Sequence, residues 1–440
     1  MKIFFVSLGC DKNLVDSEVM LGMLVEKGYT FTDDENEADI IVVNSCCFIN
    51  DAKEESINTI LEMAELKKEN CKALIVTGCL AQRYKEEIQK EIPEVDAIIG
   101  TTAIDRIVET VEDVLSGKQE ICMADINATP VYGKKRVVTT GGHYAYLKIA
   151  EGCDKHCSYC IIPKIRGNYR SIPMESLVKE AEQLVENGAR ELILVAQETT
   201  LYGVDLYKSK RLPELLRELC KISELYWIRI LYCYPEEITD ELIQVIKEEK
   251  KVCHYLDMPI QHASDTILKR MGRRTNQEEL REIVGKLRKE IPDICLRTTL
   301  ITGFPGETEA DHEELLTFVN EMEFDRLGVF TYSPEEDTPA ASMADQIHEE
   351  VKKAHQAEIM ELQQDIAFER AEAMIGKCVD AIIEGKVADE NAYVARTYKD
   401  APNVDGYLFI NTDRELMTGD YVTAKVTGSY EYDLIGELAE

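Results

Sequence analysis

The chain has 440 residues, too many for one ordinary core, so two or three domains are expected. Fifty lysines and arginines against 83 aspartates and glutamates leave a net charge of −33, which by itself need only support solubility and, as a guide to partners, favours a basic protein over naked RNA. No apolar run is long enough for a membrane helix, and fourteen cysteines without an export signal speak for reduced thiols and metal ligation in the cytoplasm rather than a disulfide scaffold.

The opening MKIFFVSLGC has too short an apolar stretch for a leader and reads as a first β-strand. Over residues 1–118 the spacing predicts strands at Lys2–Leu8, Ile40–Asn44, Ala73–Thr77 and Val95–Ile99. Helical periodicity separates them at Ser17–Lys27, Lys53–Lys68, Ala81–Glu91 and Ala103–Leu115, so an open parallel α/β sheet is expected. Cys10, Cys46 and Cys79 each fall just past one of these strands, in LGC, NSC and TGC. The carboxyl ends of neighbouring parallel strands open into one crevice, and strands lie about 4.8 Å apart, so thiols at a shared offset can reach a common metal centre. Buried cysteines that merely close strand ends are the alternative, and the shared offset speaks against it. Cys47 follows Cys46 directly; adjacent residues on extended chain point oppositely, so only Cys46 is expected to ligate.

A connector, 119–141, leads to a second βα series. Strands are predicted at Tyr144–Ala150, Glu191–Ala196, Trp227–Tyr232, Tyr255–Met258, Leu296–Ile301 and Arg326–Phe330, with helices between them. Six such units over 139–370 imply a partial (βα)6 barrel with its site at the carboxyl ends of the strands. There, directly after the first strand, lies EGCDKHCSYC, with Cys153-x3-Cys157-x2-Cys160. Three thiolates are one ligand short of a closed site, and an open metal position is where chemistry happens. A zinc knuckle completed by His156 is the plainer alternative, but no second knuckle follows. After the fifth strand, Thr302–Glu307 reads TGFPGE, where Gly303 and Gly306 allow close backbone approach to a ligand or simply turn the chain. His262 is expected to be a structural histidine, and Arg270, Arg273 and Arg274 to form a solvated helix end.

A charged helix over Ala344–Met374 bridges to residues 373–440, where five short strands (Cys378–Glu384, Asn391–Thr397, Tyr407–Ile410, Asp420–Ser429, Asp433–Leu438) predict a small antiparallel OB-like barrel, a common recognition module. From Ile375 onward 13 acidic and 6 basic residues give 6 − 13 = −7, unfavourable for RNA although Tyr393, Tyr398, Tyr407, Phe409, Tyr421, Tyr430 and Tyr432 could stack on bases.

The Cys153–Cys160 spacing, with Tyr159 before the third cysteine, resembles the signature of radical S-adenosylmethionine (SAM) enzymes. With a three-cysteine domain before it and a small barrel (a TRAM domain) after it, the whole chain resembles the methylthiotransferases. Ser7–Glu18 (SLGCDKNLVDSE), Val43–Ile49 (VNSCCFI) and Ala196–Tyr207 (AQETTLYGVDLY) are nearest to the branch that modifies an aspartate of small-subunit ribosomal protein S-twelve. The resemblance implies two [4Fe–4S] clusters, one on Cys153, Cys157 and Cys160 and an auxiliary one on Cys10, Cys46 and Cys79. It implies SAM contacts from Tyr159, Gln197, Glu198, Arg297, Gly303 and Gly306, with Arg297 otherwise free to form a structural ion pair. One SAM would methylate a sulfide and a second would yield the radical that opens the aspartate β-carbon, with flavodoxin or ferredoxin as electron donor and no role for a membrane. A tRNA adenosine methylthiotransferase and a non-catalytic iron–sulfur assembly factor are the competing readings. The acidic final barrel speaks against the first, and the central barrel, which a carrier does not need, against the second.

Overall fold

The computed structural model describes every residue except Asp389 and Glu440. Its first unit holds Lys2–Ser7 (β1), Thr30–Phe31 (β2), Ile40–Ser45 (β3), Ala73–Thr77 (β4), Ala97–Ile99 (β5) and Glu120–Cys122 (β6). They form one parallel sheet in the order β2-β1-β3-β4-β5-β6. β3 and β4 are buried along their whole length because a separate apolar cluster covers each face, which is why they read as unbroken β-branched runs. The edge strands β2 and β6 are additions to the sequence reading. They are two and three residues long, too short for a periodic signal, and β6 lies within what reads as connector.

The second unit contains Tyr144–Lys148 (β7), a small antiparallel pair of Ala150–Glu151 (β8) with Arg170–Ser171 (β9), then Glu191–Val195 (β10), Trp227–Ile230 (β11), Val252–Asp257 (β12), Cys295–Thr302 (β13) and Arg326–Thr331 (β14). Apart from the β8–β9 pair they form a parallel sheet in the order β14-β13-β12-β11-β10-β7. Six parallel strands with helical crossovers curve into a partial barrel. Its outer face packs on the helices in the largest core cluster. Its inner face presents Tyr144, Tyr146, Ile193, Val195, Tyr255 and Cys295, which pack against Val15 of the first unit and Ile382 and Ala401 of the last.

The helix expected from Ala344 begins at Glu349 and runs to Glu372. After it, Cys378–Lys386 (β15), Ala392–Thr397 (β16), Leu408–Asn411 (β17), Tyr421–Tyr430 (β18) and Asp433–Leu438 (β19) close a barrel in the order β15-β16-β17-β19-β18. All its pairings are antiparallel except β17 with β19, which run parallel, because β19 turns back from β18 and lands beside β17.

This final barrel is held to the central one by buried charge. Glu191, the first residue of β10, takes Arg229 Nε at 2.7 Å on one oxygen and pairs with Arg396 of β16 at 2.8 Å on the other. Arg229 also donates to the Tyr398 carbonyl at 2.6 Å. Burial favours the proton on Glu191, but Arg396 and Arg229 outweigh it and hold its pKa below the ordinary carboxylate value. Removing the carboxylate would leave buried Arg229 without a counter-ion and Arg396 with Glu384 alone. Glu191→Ala is therefore expected to cost about 3–5 kcal/mol, seen first as faster hydrogen exchange and proteolysis at the seam around Tyr398; unchanged exchange there would contradict this role.

Candidate functional site

Register sets the first group of thiols. Ser7 of β1 pairs with Asn44 of β3, and Asn44 with Thr77 of β4. Cys46 and Cys79 thus lie two residues past one row, and Cys10 three past it, on three adjacent strands. A glycine in the left-handed region turns the chain before Cys10 and before Cys79 (Gly9, φ 87°; Gly78, φ 92°), and Gly152 (φ 78°) does the same before Cys153. These turns are crowded. A Cβ on Gly9 would lie 2.8 Å from Cys46 Sγ, one on Gly78 would lie 2.4 Å from the Ser45 carbonyl oxygen, and one on Gly152 would lie 2.1 Å from the Asn168 carbonyl oxygen. Cys46 therefore stands beside the Cys10 turn. Cys47 is fully buried and lies near Arg83 and Glu335, and Cys79 lies close to Cys47 as well as to Cys46 and Cys10.

The second group of thiols sits on an excursion between β8 and β9. Its base is pinned by the Ala150–Ser171 and Glu151–Arg170 pairs and by the Cys153 N–H donating to the Gly167 carbonyl at 3.1 Å. Ser158 N–H donates to Met271 O at 2.8 Å, and Ala340 N–H to Ser158 O at 2.9 Å, fixing the loop from both sides. The His156 side chain is exposed, unlike Cys153 and Cys157.

Around these thiols several buried polar atoms lack partners. Glu198, fully buried, accepts from the Thr200 N–H at 2.9 Å with Oε1, while Oε2 has no partner. Burial pushes its carboxyl up to about 7, against the pull of Thr200 and Lys155. Gln197 donates to Glu151 at 3.0 Å and leaves its oxygen free. Arg273 stacks over Tyr234, 4.2 Å from the ring centre, and donates to the Pro259 carbonyl at 2.9 Å. Its Nε and Nη1 are buried without an acceptor, and Cys157 and Tyr159 lie within its electrostatic reach. It is thus no solvated helix end. Tyr159 packs edge-on against Phe304 of the TGFPGE turn, 6.5 Å between ring centres.

Other residues go elsewhere. Arg297 pairs with Asp257 at 2.9 Å and with Asp405 of the final unit at 3.5 Å, so it serves the seam as a structural ion pair. A Cβ on Gly303 would meet the Lys352 side chain, and one on Gly306 would meet Arg270 and Asp345, so neither turn has room for a side chain. Fully buried His262 accepts from the Ser264 N–H at 3.0 Å, a structural role. Glu307, His312 and His355 bring donor atoms within 4.8 Å of one another, but the two imidazoles stack at 3.7 Å and 6°. One ion cannot lie in both of two parallel ring planes, so this is a hydrogen-bonded cluster, with His355 donating to Glu307 at 2.9 Å.

A cavity of about 470 Å³ adjoins Cys10, walled by Asp11 from the first unit, Tyr146 and Tyr232 from the central barrel, and Asn403 and Val404 from the last. A larger hollow of about 880 Å³ lies at the amino ends of β11 and β12, remote from both cysteine groups. Some of its charges pair with one another, as in Lys399–Asp325 at 3.5 Å, and it runs along a seam between units.

The donor set fits iron–sulfur centres. Burial raises the Cys46, Cys79 and Cys160 thiols and pushes that of Cys153 up to about 12, so without metal they stay protonated at neutral pH. A multi-iron centre supplies the positive charge that deprotonates a thiol outright. A three-cysteine loop after the first strand of a partial (βα)6 barrel, with a free oxygen of Glu198 and two free nitrogens of Arg273 beside it, defines a radical SAM enzyme.

Comparison with known proteins agrees. Residues 2–100 match the model for "Uncharacterized protein family UPF0004", 147–319 the Radical SAM superfamily, and 375–439 the TRAM domain. A protein of Lachnoclostridium phytofermentans called "Ribosomal protein uS12 methylthiotransferase RimO" is 67% identical over 99% of both chains. A Thermoanaerobacter protein of the same name is 49% identical over 98% of both. Among solved structures, the radical SAM methyltransferase TsrM of Kitasatospora setae superposes with a TM-score of 0.56 over 77% of this chain and 76% of that one; at 14% identity this is likeness of fold alone. The chain belongs to the RimO family of radical SAM methylthiotransferases. It is a transferase whose family uses SAM and a [4Fe–4S] cluster. Among the described residues no helix is long and apolar enough to cross a membrane.

The turn before Cys153 allows a stability test. Gly152→Ala must relieve a 2.1 Å backbone overlap as well as adopt a positive φ, whereas Gly117 (φ 87°) has nothing within 4 Å of its would-be Cβ. Urea unfolding followed by the single tryptophan, Trp227, should give a loss of about 3 kcal/mol or more for Gly152→Ala and about 1 kcal/mol for Gly117→Ala. Equal losses would contradict the crowding argument.

Proposed function

We propose that this chain attaches a methylthio group to the β-carbon of an aspartate in ribosomal protein uS12, in the cytoplasm. Its three units would be 1–118 for an auxiliary cluster, 139–370 for the radical SAM core and 373–440 for recognition. Cys153, Cys157 and Cys160 would hold one [4Fe–4S] cluster and Cys10, Cys46 and Cys79 a second. The observation that carries this reading is that both three-cysteine groups lie past the carboxyl ends of their sheets, and that Arg166, buried on the excursion that bears Cys153, Cys157 and Cys160, donates to Cys79 across the boundary between units. Relatives that carry the uS12 name over nearly the whole chain support the substrate. The net charge of −33, and of −7 from Ile375 onward, suits a basic ribosomal protein.

Bound at these thiolates, the clusters and SAM would supply the methylthio group and the radical that an unactivated C–H bond requires. The rest falls to side chains. The free oxygen of Glu198 would accept from the SAM amino group, the free nitrogens of Arg273 would donate to its carboxylate, and Tyr159 with Phe304 would cover its flat adenine. Gln197 steadies Glu151 next to them. The target side chain enters by the cavity beside Cys10, whose walls come from all three units. Flavodoxin or ferredoxin is the class of electron donor that fits.

The direct test offers reconstituted, reduced protein SAM and sulfide, with uS12 and unmodified tRNA in separate reactions read by mass spectrometry. One methylthio group on a uS12 aspartate is expected; the same group on a tRNA adenosine instead would overturn the substrate. A second prediction concerns Glu198. Calorimetry on the reconstituted protein should give a loss of roughly tenfold to a hundredfold in SAM affinity for Glu198→Gln. Because the ionised carboxylate is the better acceptor, binding by the unaltered protein should tighten from about pH 6 to about pH 8 more steeply than binding by the glutamine variant, in which only the SAM amino group titrates. Equal affinities and equal pH profiles would remove Glu198 from the SAM site.

A further inference from the structure

Arg166 closes the short helix Ile162–Arg166, on the same excursion as the Cys153–Cys160 loop, and is 2% exposed. Its guanidinium reaches into the first unit. Nε donates to Cys79 Sγ at 3.4 Å, Nη2 to Asn13 Oδ1 at 2.5 Å, and Nη1 to Asp16 Oδ2 at 2.7 Å and Glu151 Oε2 at 3.3 Å. Lys148 pairs with the same two carboxylates, 2.7 Å from Glu151. Two buried cations therefore face two buried carboxylates, and among the described residues the sulfur is the sole acceptor of Nε. Gln197 donates to the other oxygen of Glu151, which extends the hydrogen-bonded path from Cys79 to the end of β10.

We propose that Arg166 is a positioning residue of the auxiliary site, holding Cys79 in register with the radical SAM core and drawing charge off its sulfur. The inference rests on the reading of Cys10, Cys46 and Cys79 as cluster ligands. The reduction potential of an iron–sulfur centre is set by its net charge and by hydrogen bonds to its sulfurs, and a cationic donor favours the reduced, more negative state. A planar guanidinium can serve the sulfur, the amide and both carboxylates at once; a lysine ammonium, a compact point charge, cannot.

The test uses full-length chain in which Cys153, Cys157 and Cys160 are all changed to alanine, so that only the auxiliary site can hold iron. Potentiometric titration read by electron paramagnetic resonance should give a more negative midpoint for Arg166→Lys in this background than for Arg166 itself. Because a buried arginine is hard to replace without harm to folding, a second readout leaves it in place. Protein labelled with ¹⁵N only in arginine should give a ¹⁵N coupling to the reduced centre in pulsed resonance spectra. An unchanged midpoint with a normal cluster, or no arginine coupling, overturns this inference alone. A triple variant that binds no iron overturns the two-site reading and this inference with it.

Discussion

Six parallel strands do not close a barrel, and the rest of the molecule answers that constraint. The inner face of the central sheet carries Tyr144, Tyr146, Ile193, Val195 and Tyr255, apolar surface that water would otherwise meet. The first unit covers it through Val15 on the helix Asp11–Lys27, and the last through Ile382 and Ala401. That helix begins directly after Cys10. Covering the face therefore also brings the Cys10, Cys46 and Cys79 strand ends to the side of the barrel where the Cys153 excursion emerges. The same apolar burial that stabilises the fold sets the two cysteine groups against each other.

Where the units meet, charge rather than apolar surface fixes the geometry. Glu191, Arg229 and Arg396 lock the final barrel at the amino end of β10, and Asp16, Lys148, Glu151 and Arg166 lock the first unit near the carboxyl end of β7. Arg83 adds a rim contact, pairing with Glu335 at 3.1 Å in the loop after β14. Buried ion groups of this kind add little net stability over apolar packing, but a misaligned one leaves a bare charge, so they favour one registration of the units. The proposed reaction, which would bring two metal centres and a side chain together, would gain from such a fixed registration.

Much of this was legible in the chain itself. Buried parallel strands are continuous β-branched runs, so β1, β3, β4 and the six strands of the central sheet stand out, and with them the placement of six cysteines at strand ends. What escaped depends on partners distant in sequence. Arg166 is unremarked in IIPKIRG until Asn13 and Asp16, some 150 residues earlier, fold beside it. The pairing of Arg297 with Asp405, and the packing of Lys352, Arg270 and Asp345 against the Gly303 and Gly306 turns, join residues too far apart for local reading. Arg273 looked like an ordinary helix-end cation; only its two buried, unpartnered nitrogens set it apart. The edge strands β2 and β6 were missed for their brevity.

The account stands or falls on two separate three-thiolate sites facing one another. Iron content and Mössbauer spectra of anaerobically reconstituted protein test this directly, with the unaltered chain beside variants in which Cys10, Cys46 and Cys79, or Cys153, Cys157 and Cys160, are changed to alanine. The account predicts about eight irons per chain in the first and about four in each variant, all as [4Fe–4S] clusters. A chain that binds only one cluster, or a variant at Cys10, Cys46 and Cys79 that keeps its full complement of iron, would contradict it.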